Sequence, residues 1–101
     1  MRGSTRAAAT FWLIKKGIAK LNVIGGQVRK LRERKGWTQD HFAVKLQLAG
    51  WDTSQDSVSR LETQDRRVPD LELFVLADVL DAKLEYLFPK DTRSKVRALW
   101  P

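Results

Sequence analysis

Apolar residues recur along most of this chain at helical spacings of three and four, and no stretch alternates with the period of two that a half-buried strand requires. The clearest run is Leu73, Leu76, Ala77 and Leu80, at i, i+3, i+4 and i+7, which predicts a helix opened by Pro69 and Asp70. Proline suits a first helical turn because the N–H it lacks would be unbonded there, and aspartate suits the positive end of the helix dipole. Upstream, Val28 and Leu31 predict a helix capped by Asn22, with Arg29, Lys30, Arg32, Arg34 and Lys35 on its outside. Gly25 and Gly26 weaken its first turn, and Gly36 ends it, because glycine accepts the left-handed conformation that follows many helices.

A second helix is predicted to begin after Thr38, whose hydroxyl can cap a free N–H of the first turn. Trp37 and Phe42 flank that cap at the spacing of a hydrophobic staple. Phe42, Ala43 and Leu46 form its inner face, and Leu48 to Asp52 read as a turn. A third, short helix starts after Ser54, with Val58 and Leu61 inward and Gln55, Asp56, Ser59 and Arg60 outward. Thr63 to Val68 form a polar loop, and Leu84, Leu87 and Phe88 predict a last short helix stopped by Pro89. The fold class is therefore all-α: a compact five-helix bundle. Its single predicted core comprises Val28, Leu31, Phe42, Ala43, Leu46, Val58, Leu61, Leu73, Leu76, Ala77, Leu80 and Leu84.

Length sets the organisation. With 101 residues the chain can build one substantial core, not two. The domain is expected over residues 22–89, with an N-terminal basic extension at 1–21 and a C-terminal basic tail at 90–101 carrying Val96, Leu99 and Trp100 as docking points. Met1-Arg2-Gly3-Ser4 has the look of an appended expression leader. Beyond it, Phe11, Ile14, Ile18 and Leu21 recur at helical spacing, with Lys15, Lys16 and Lys20 elsewhere on the wheel. That pattern predicts an extra helix packed on the domain, or a disordered arm, ahead of a helix lying on a membrane.

Charge narrows the partners. The net charge is +7 and is unevenly spread. Residues 1–35 hold ten Lys/Arg and one acid, residues 36–62 hold two bases and four acids, and the rest balances at seven of each. A basic balance selects polyanions, nucleic acid before anionic membrane. No run approaches the ~20 apolar residues of a membrane span. Ala7 to Ile14 follows two arginines, but it is short, runs at once into Lys15 and Lys16 and has no small-residue cleavage site. It does not predict secretion, and a cytoplasmic protein is expected.

Enzyme chemistry finds few parts. There is no cysteine, and His41 is the one histidine, so disulfides, thiolate metal sites and His-rich metal sites are excluded. Nucleophilic catalysis needs a positioned base, phosphate transfer commonly uses a Gly-rich loop ending Gly-Lys-Ser/Thr, and neither is present. No catalytic residue, metal or cofactor is expected.

Two short helices, the second polar on its outer face, suggest a helix-turn-helix, in which the second helix enters the major groove and the first crosses the backbone. Ile24 to Arg32, Gly36-Trp37-Thr38-Gln39, Ser54 to Arg67 and Leu73 to Leu80 together resemble the lambda-repressor/Cro-like (XRE) helix-turn-helix family over roughly residues 22–89. The strongest pieces are Gly36 to Gln39, Val58-Ser59-Arg60-Leu61-Glu62, and Arg66-Arg67 ahead of a capped apolar helix. The resemblance implies a lambda-repressor-like bundle that binds double-stranded DNA. It implies base reading by Gln55, Asp56, Ser59 and Arg60, and backbone contacts by Gln39, Thr38, Ser54, Arg66 and Arg67. Gln39 would also brace the recognition helix, and Glu62 matches a structural glutamate. Three departures stand out: a longer turn between the two helices, Asp56 in the reading helix, and Asp81 where the family usually ends a helix on glycine.

The leading expectation is a homodimeric, sequence-specific transcriptional regulator, a repressor in the family's manner. The alternative is a protein-interaction module on the same fold, such as an antitoxin-like partner of a toxin, which the low charge of residues 36–62 favours. The long basic stretch before Gly36 favours DNA.

Overall fold

In the computed structural model, which describes residues 20–99, the order of elements is α1 (Gly25–Arg34), α2 (Gln39–Leu48), α3 (Gln55–Glu62), α4 (Asp70–Val79), a 310 turn (Leu84–Leu87) and α5 (Thr92–Leu99). No strand occurs among the described residues. The five α-helices match the expected all-α class, but the fifth lies in the C-terminal tail, and the segment after α4 winds as a 310 turn instead of an α-helix. The basic extension lies outside the described residues except for Lys20 and Leu21, as does Trp100.

The helix starts are written in single side chains. The Thr38 hydroxyl accepts the His41 N–H at 3.0 Å, and the Ser54 hydroxyl accepts that of Ser57 at 3.2 Å. The Trp37 and Phe42 rings stack with centroids 6.0 Å apart, closing the staple across the Thr38 cap. Asn22 Oδ1 accepts the Gly25 N–H at 2.9 Å, so it caps the first turn that leads into α1.

The helix ends share one device. After each of α1 to α4 one residue takes a positive φ, and its own N–H and that of the next residue turn back to carbonyls of the last turn. After α1, for example, Gly36 donates to Glu33 O at 2.9 Å and Trp37 to Arg32 O at 3.3 Å. Glycine fills this position after α1 and α2, but Gln64 (φ 66°) and Asp81 (φ 52°) fill it after α3 and α4.

The core gathers Ile24 and Val28 from the α1 segment, Phe42, Ala43 and Leu46 from α2, and Val58 and Leu61 from α3. Leu76 and Leu80 come from α4 and its cap, and Leu87 from the 310 turn. Leu31, Leu73 and Ala77 pack at its edge, half-buried.

Three expectations need correction. Leu84 is not core: it is 51% exposed, and Leu87 is buried instead. Within the 310 turn Leu87 alone is buried; Leu84, Glu85 and Tyr86 are exposed, and Leu84 sits at the open start of the turn. Arg32 does not lie on the outside of α1: it is 8% exposed and ion-paired to Glu62. Gly25 is more than a weak first-turn residue. A Cβ there would stand 2.4 Å from Leu61 O and 2.9 Å from Glu62 O, so its bareness lets α1 lie against the end of α3.

Candidate nucleic-acid interface

Helices α2 and α3 form the helix-turn-helix unit, and the link between them is fixed at both ends. Trp51 N–H returns to Leu46 O at 3.0 Å, and Gln47 Nε2 donates to Thr53 O at 2.6 Å. Gly50 provides the positive φ (103°) that the turn requires. Trp51 packs against the core, and the Arg66 guanidinium lies 5.7 Å over its ring.

The outer face of α3 presents Gln55, Asp56 and Arg60 exposed, with Ser59 half-buried beside them. These four residues share one face, as the spacing predicts. Asp56 and Arg60 pair along the helix at 3.3 Å. Both side chains are largely in water, so this pair contributes little to stability.

Behind that face lies a chain of side-chain contacts leading into the core. Gln55 Nε2 donates to Gln39 Oε1 at 2.8 Å, and Gln39 Nε2 donates to Glu62 Oε1 at 3.0 Å. Arg32 grips the same carboxylate in fork fashion, Nε to Oε2 at 2.6 Å and Nη2 to Oε1 at 2.9 Å. Arg32 Nη1 also donates to Trp37 O at 2.7 Å, just before the α2 cap. One guanidinium thus fastens the end of α1, the start of α2 and the end of α3. Hydrogen bonding to Glu62 raises the Arg32 pKa above its ordinary value, against the lowering by burial. The sign places the loss of the contribution from Arg32's own titration at the alkaline extreme, above the free arginine range.

Asn22 adds a second clasp. Its Nδ2 donates to Leu61 O at 3.2 Å and to Arg66 O at 2.8 Å, tying the start of α1 to the end of α3 and the loop beyond. Gln64 Nε2 returns a bond to Asn22 O at 2.9 Å.

The predicted backbone-contact residues fall into two groups. Thr38 and Ser54 are exposed, and each cap uses a hydroxyl lone pair, which leaves the hydroxyl hydrogen free to donate. Arg67 is exposed. Gln39 is half-buried within the network, and Arg66 is held by Glu72 through two bonds of 2.8 and 3.2 Å. His41 is exposed with its ring against Trp37, and Lys35 and Lys45 lie over the faces of that same indole. No group of His, Cys, Asp or Glu able to hold a metal occurs among the described residues, and no helix there is long and apolar enough to cross a membrane.

Sequence reasoning missed Arg32 and the Asn22 clasp. Arg32 looked like one more cation on a basic helix. The available signal was its place four residues after the inward-facing Val28, on the same side of the wheel.

Two capped helices joined by a closed turn, the second offering a polar outer face braced from within, define a helix-turn-helix DNA-binding domain. A helix-turn-helix family model matches residues 28–87, and the chain belongs to this XRE-type, lambda-repressor-like family. None of the curated proteins and none of the solved structures matches the chain. Membership supports DNA binding of the transcription-regulator type.

Proposed function

We propose that this protein is a cytoplasmic, non-enzymatic repressor that binds a specific double-stranded DNA sequence as a homodimer, without a cofactor. The observation that carries this reading is the exposed polar face of α3 held from behind through Gln55, Gln39, Glu62 and Arg32. A reading helix must keep its orientation while its side chains are tested against base edges, and this network links that helix to a buried ion pair.

In this reading α3 enters the major groove, whose width of about 12 Å admits a helix. Gln55, Asp56, Ser59 and Arg60 read bases. Glutamine pairs with adenine and arginine with guanine in bidentate fashion, and the Asp56 carboxylate accepts from cytosine N4. Thr38, Ser54, Gln39 and Arg67 hold the phosphate backbone, which positions the protein without reading sequence. Arg66 sets the loop that carries Arg67, through its fork to Glu72 and its stack on Trp51. One short helix reads few base pairs, so two copies should engage half-sites about 10 bp apart or a multiple of that.

A protein-interaction role, such as an antitoxin-like module, is the second reading. Leu48 favours it: this leucine stands 83% exposed at the end of α2. Selecting bound duplexes from a random pool separates the two. An enriched, two-fold symmetric motif is the expected outcome, and a pool that remains random overturns the DNA-reading proposal.

A further inference from the structure

The outer side of α4 carries apolar surface that the core does not use. Leu71 is 78% exposed, Phe74 70% and Leu84 51%. An open groove of about 560 Å³ runs along this side, walled by Leu73, Phe74 and Leu84 and rimmed by Asp70, Asp78 and Asp81. Its volume falls within the roughly 300–1,000 Å³ of ordinary binding clefts. Lys83 is the one cation on its lining, and none of the three aspartates has an ion-pair partner among the described residues.

The chain itself carries a segment of complementary chemistry. Residues 1–20 include five Lys/Arg and no acid. Within them, Phe11-Trp12-Leu13-Ile14 is flanked by Arg6 on one side and Lys15-Lys16 on the other. Apolar anchors between cations fit an apolar floor between aspartates. We propose that the groove along α4 receives residues 7–14 of the same chain, with the aromatic and aliphatic side chains on Leu73, Phe74 and Leu84 and the flanking cations at the aspartate rim.

Reach allows it. The described chain enters beside α3, where Leu21 N–H bonds to Gln64 O at 3.1 Å. Six residues further on, at the third position of α1, Gln27 Nε2 donates to Tyr86 O at 3.1 Å, two residues from Leu84. Six residues, 15–20, span up to about 20 Å when extended. The shortest dimension of the molecule is 20 Å, so the linker is of the length scale needed to pass from one side to another.

Paramagnetic labelling of the full chain tests the proposal. The sequence has no cysteine, so Ser4→Cys gives one attachment point for a nitroxide beside the segment. Backbone amides of residues 73–84 should broaden selectively. That broadening should disappear in Phe74→Asp and weaken severalfold in Asp78→Lys, two exposed positions whose variants keep the helical circular-dichroism spectrum of the parent. Broadening spread evenly over the domain, or unchanged in both variants, overturns the proposal. So does equal broadening when nitroxide chains without isotope label are mixed with isotope-labelled chains that carry no nitroxide, which would make a second copy the occupant.

Discussion

Replacing Glu62 by leucine leaves the Arg32 guanidinium buried with Trp37 O as its one remaining partner among the bonds described above. Breaking a buried ion pair from one side costs about 3–5 kcal/mol, because an uncompensated charge stays behind. Small domains are stable by only about 5–15 kcal/mol, so this is a large fraction of the total. At about 4–8 °C per kcal/mol for a domain of this size, the midpoint of thermal unfolding should fall by more than about 10 °C. Arg32→Met should do comparable damage, since the Glu62 side chain is only 2% exposed. The double variant should lose far less than the sum of the two, because the apolar pair fills the space with no charge to strand. Urea unfolding of all four proteins measures the cycle. Single variants within about 0.5 kcal/mol of the parent, or strict additivity in the double, would refute the view that this pair is buried and coupled. The double variant also separates stability from function: it should fold and yet bind DNA more weakly, since Gln39 has lost its acceptor on Glu62 and no longer anchors Gln55.

Gly25→Ala should destabilise by about 1–3 kcal/mol through overpacking against Leu61 O, whereas Gly26→Ala, with no neighbour within 4 Å of its Cβ, should gain roughly 0.5–1 kcal/mol of helix stability. The two variants compared by chemical denaturation check the close approach of α1 to α3. Leu76→Ala should cost about 2–5 kcal/mol, the range for a buried leucine, and a change within experimental noise would mean that α4 is not packed as described. DNA affinity should fall with salt at a log–log slope of about −0.9 per phosphate contacted. Arg67→Ala should shrink that slope by about one unit across all sequences, whereas Arg60→Ala should relax preference at one base step per half-site; a panel of single-base operator variants at two salt concentrations tells them apart.

Features written in neighbouring residues could be read from the sequence. Thr38 with its Trp37–Phe42 staple, Ser54 as a cap, Gly36 as a stop and the α4 repeat all act within one or two turns, and each took its expected place. Features that depend on distant partners could not. Arg32 meets Glu62 across thirty positions, so its local surroundings of Lys and Arg suggested solvent. Gly25 is needed because of a carbonyl on α3, which a reading of α1 alone cannot include. Leu84 and Leu87 stand three apart, a spacing that puts both on one side of an α-helix or a 310 turn, so the packing of that turn against the core decides which is buried. The same limit applies at the site. The face of α3 follows from spacing, and the resemblance implied that Gln39 braces the recognition helix, but the tie of Gln39 to Glu62 and the engagement of Arg66 by Glu72 arise only when segments meet.

The Asp56–Arg60 pair has a consequence for how such a domain would search a genome. In free solution the one cation of α3 is matched by an anion one turn away, so the reading helix offers a passing phosphate almost no net pull. Exposed pairs open at little expense, and on the proposed reading a guanine edge held by two hydrogen bonds would draw Arg60 away. Non-specific duplex, held mainly through its phosphates, would seldom place a guanine where that exchange can occur. A built-in counter-charge would therefore lower affinity for the vast excess of wrong sites more than for the right one, and that ratio, not the tightness of the final complex, decides occupancy of an operator.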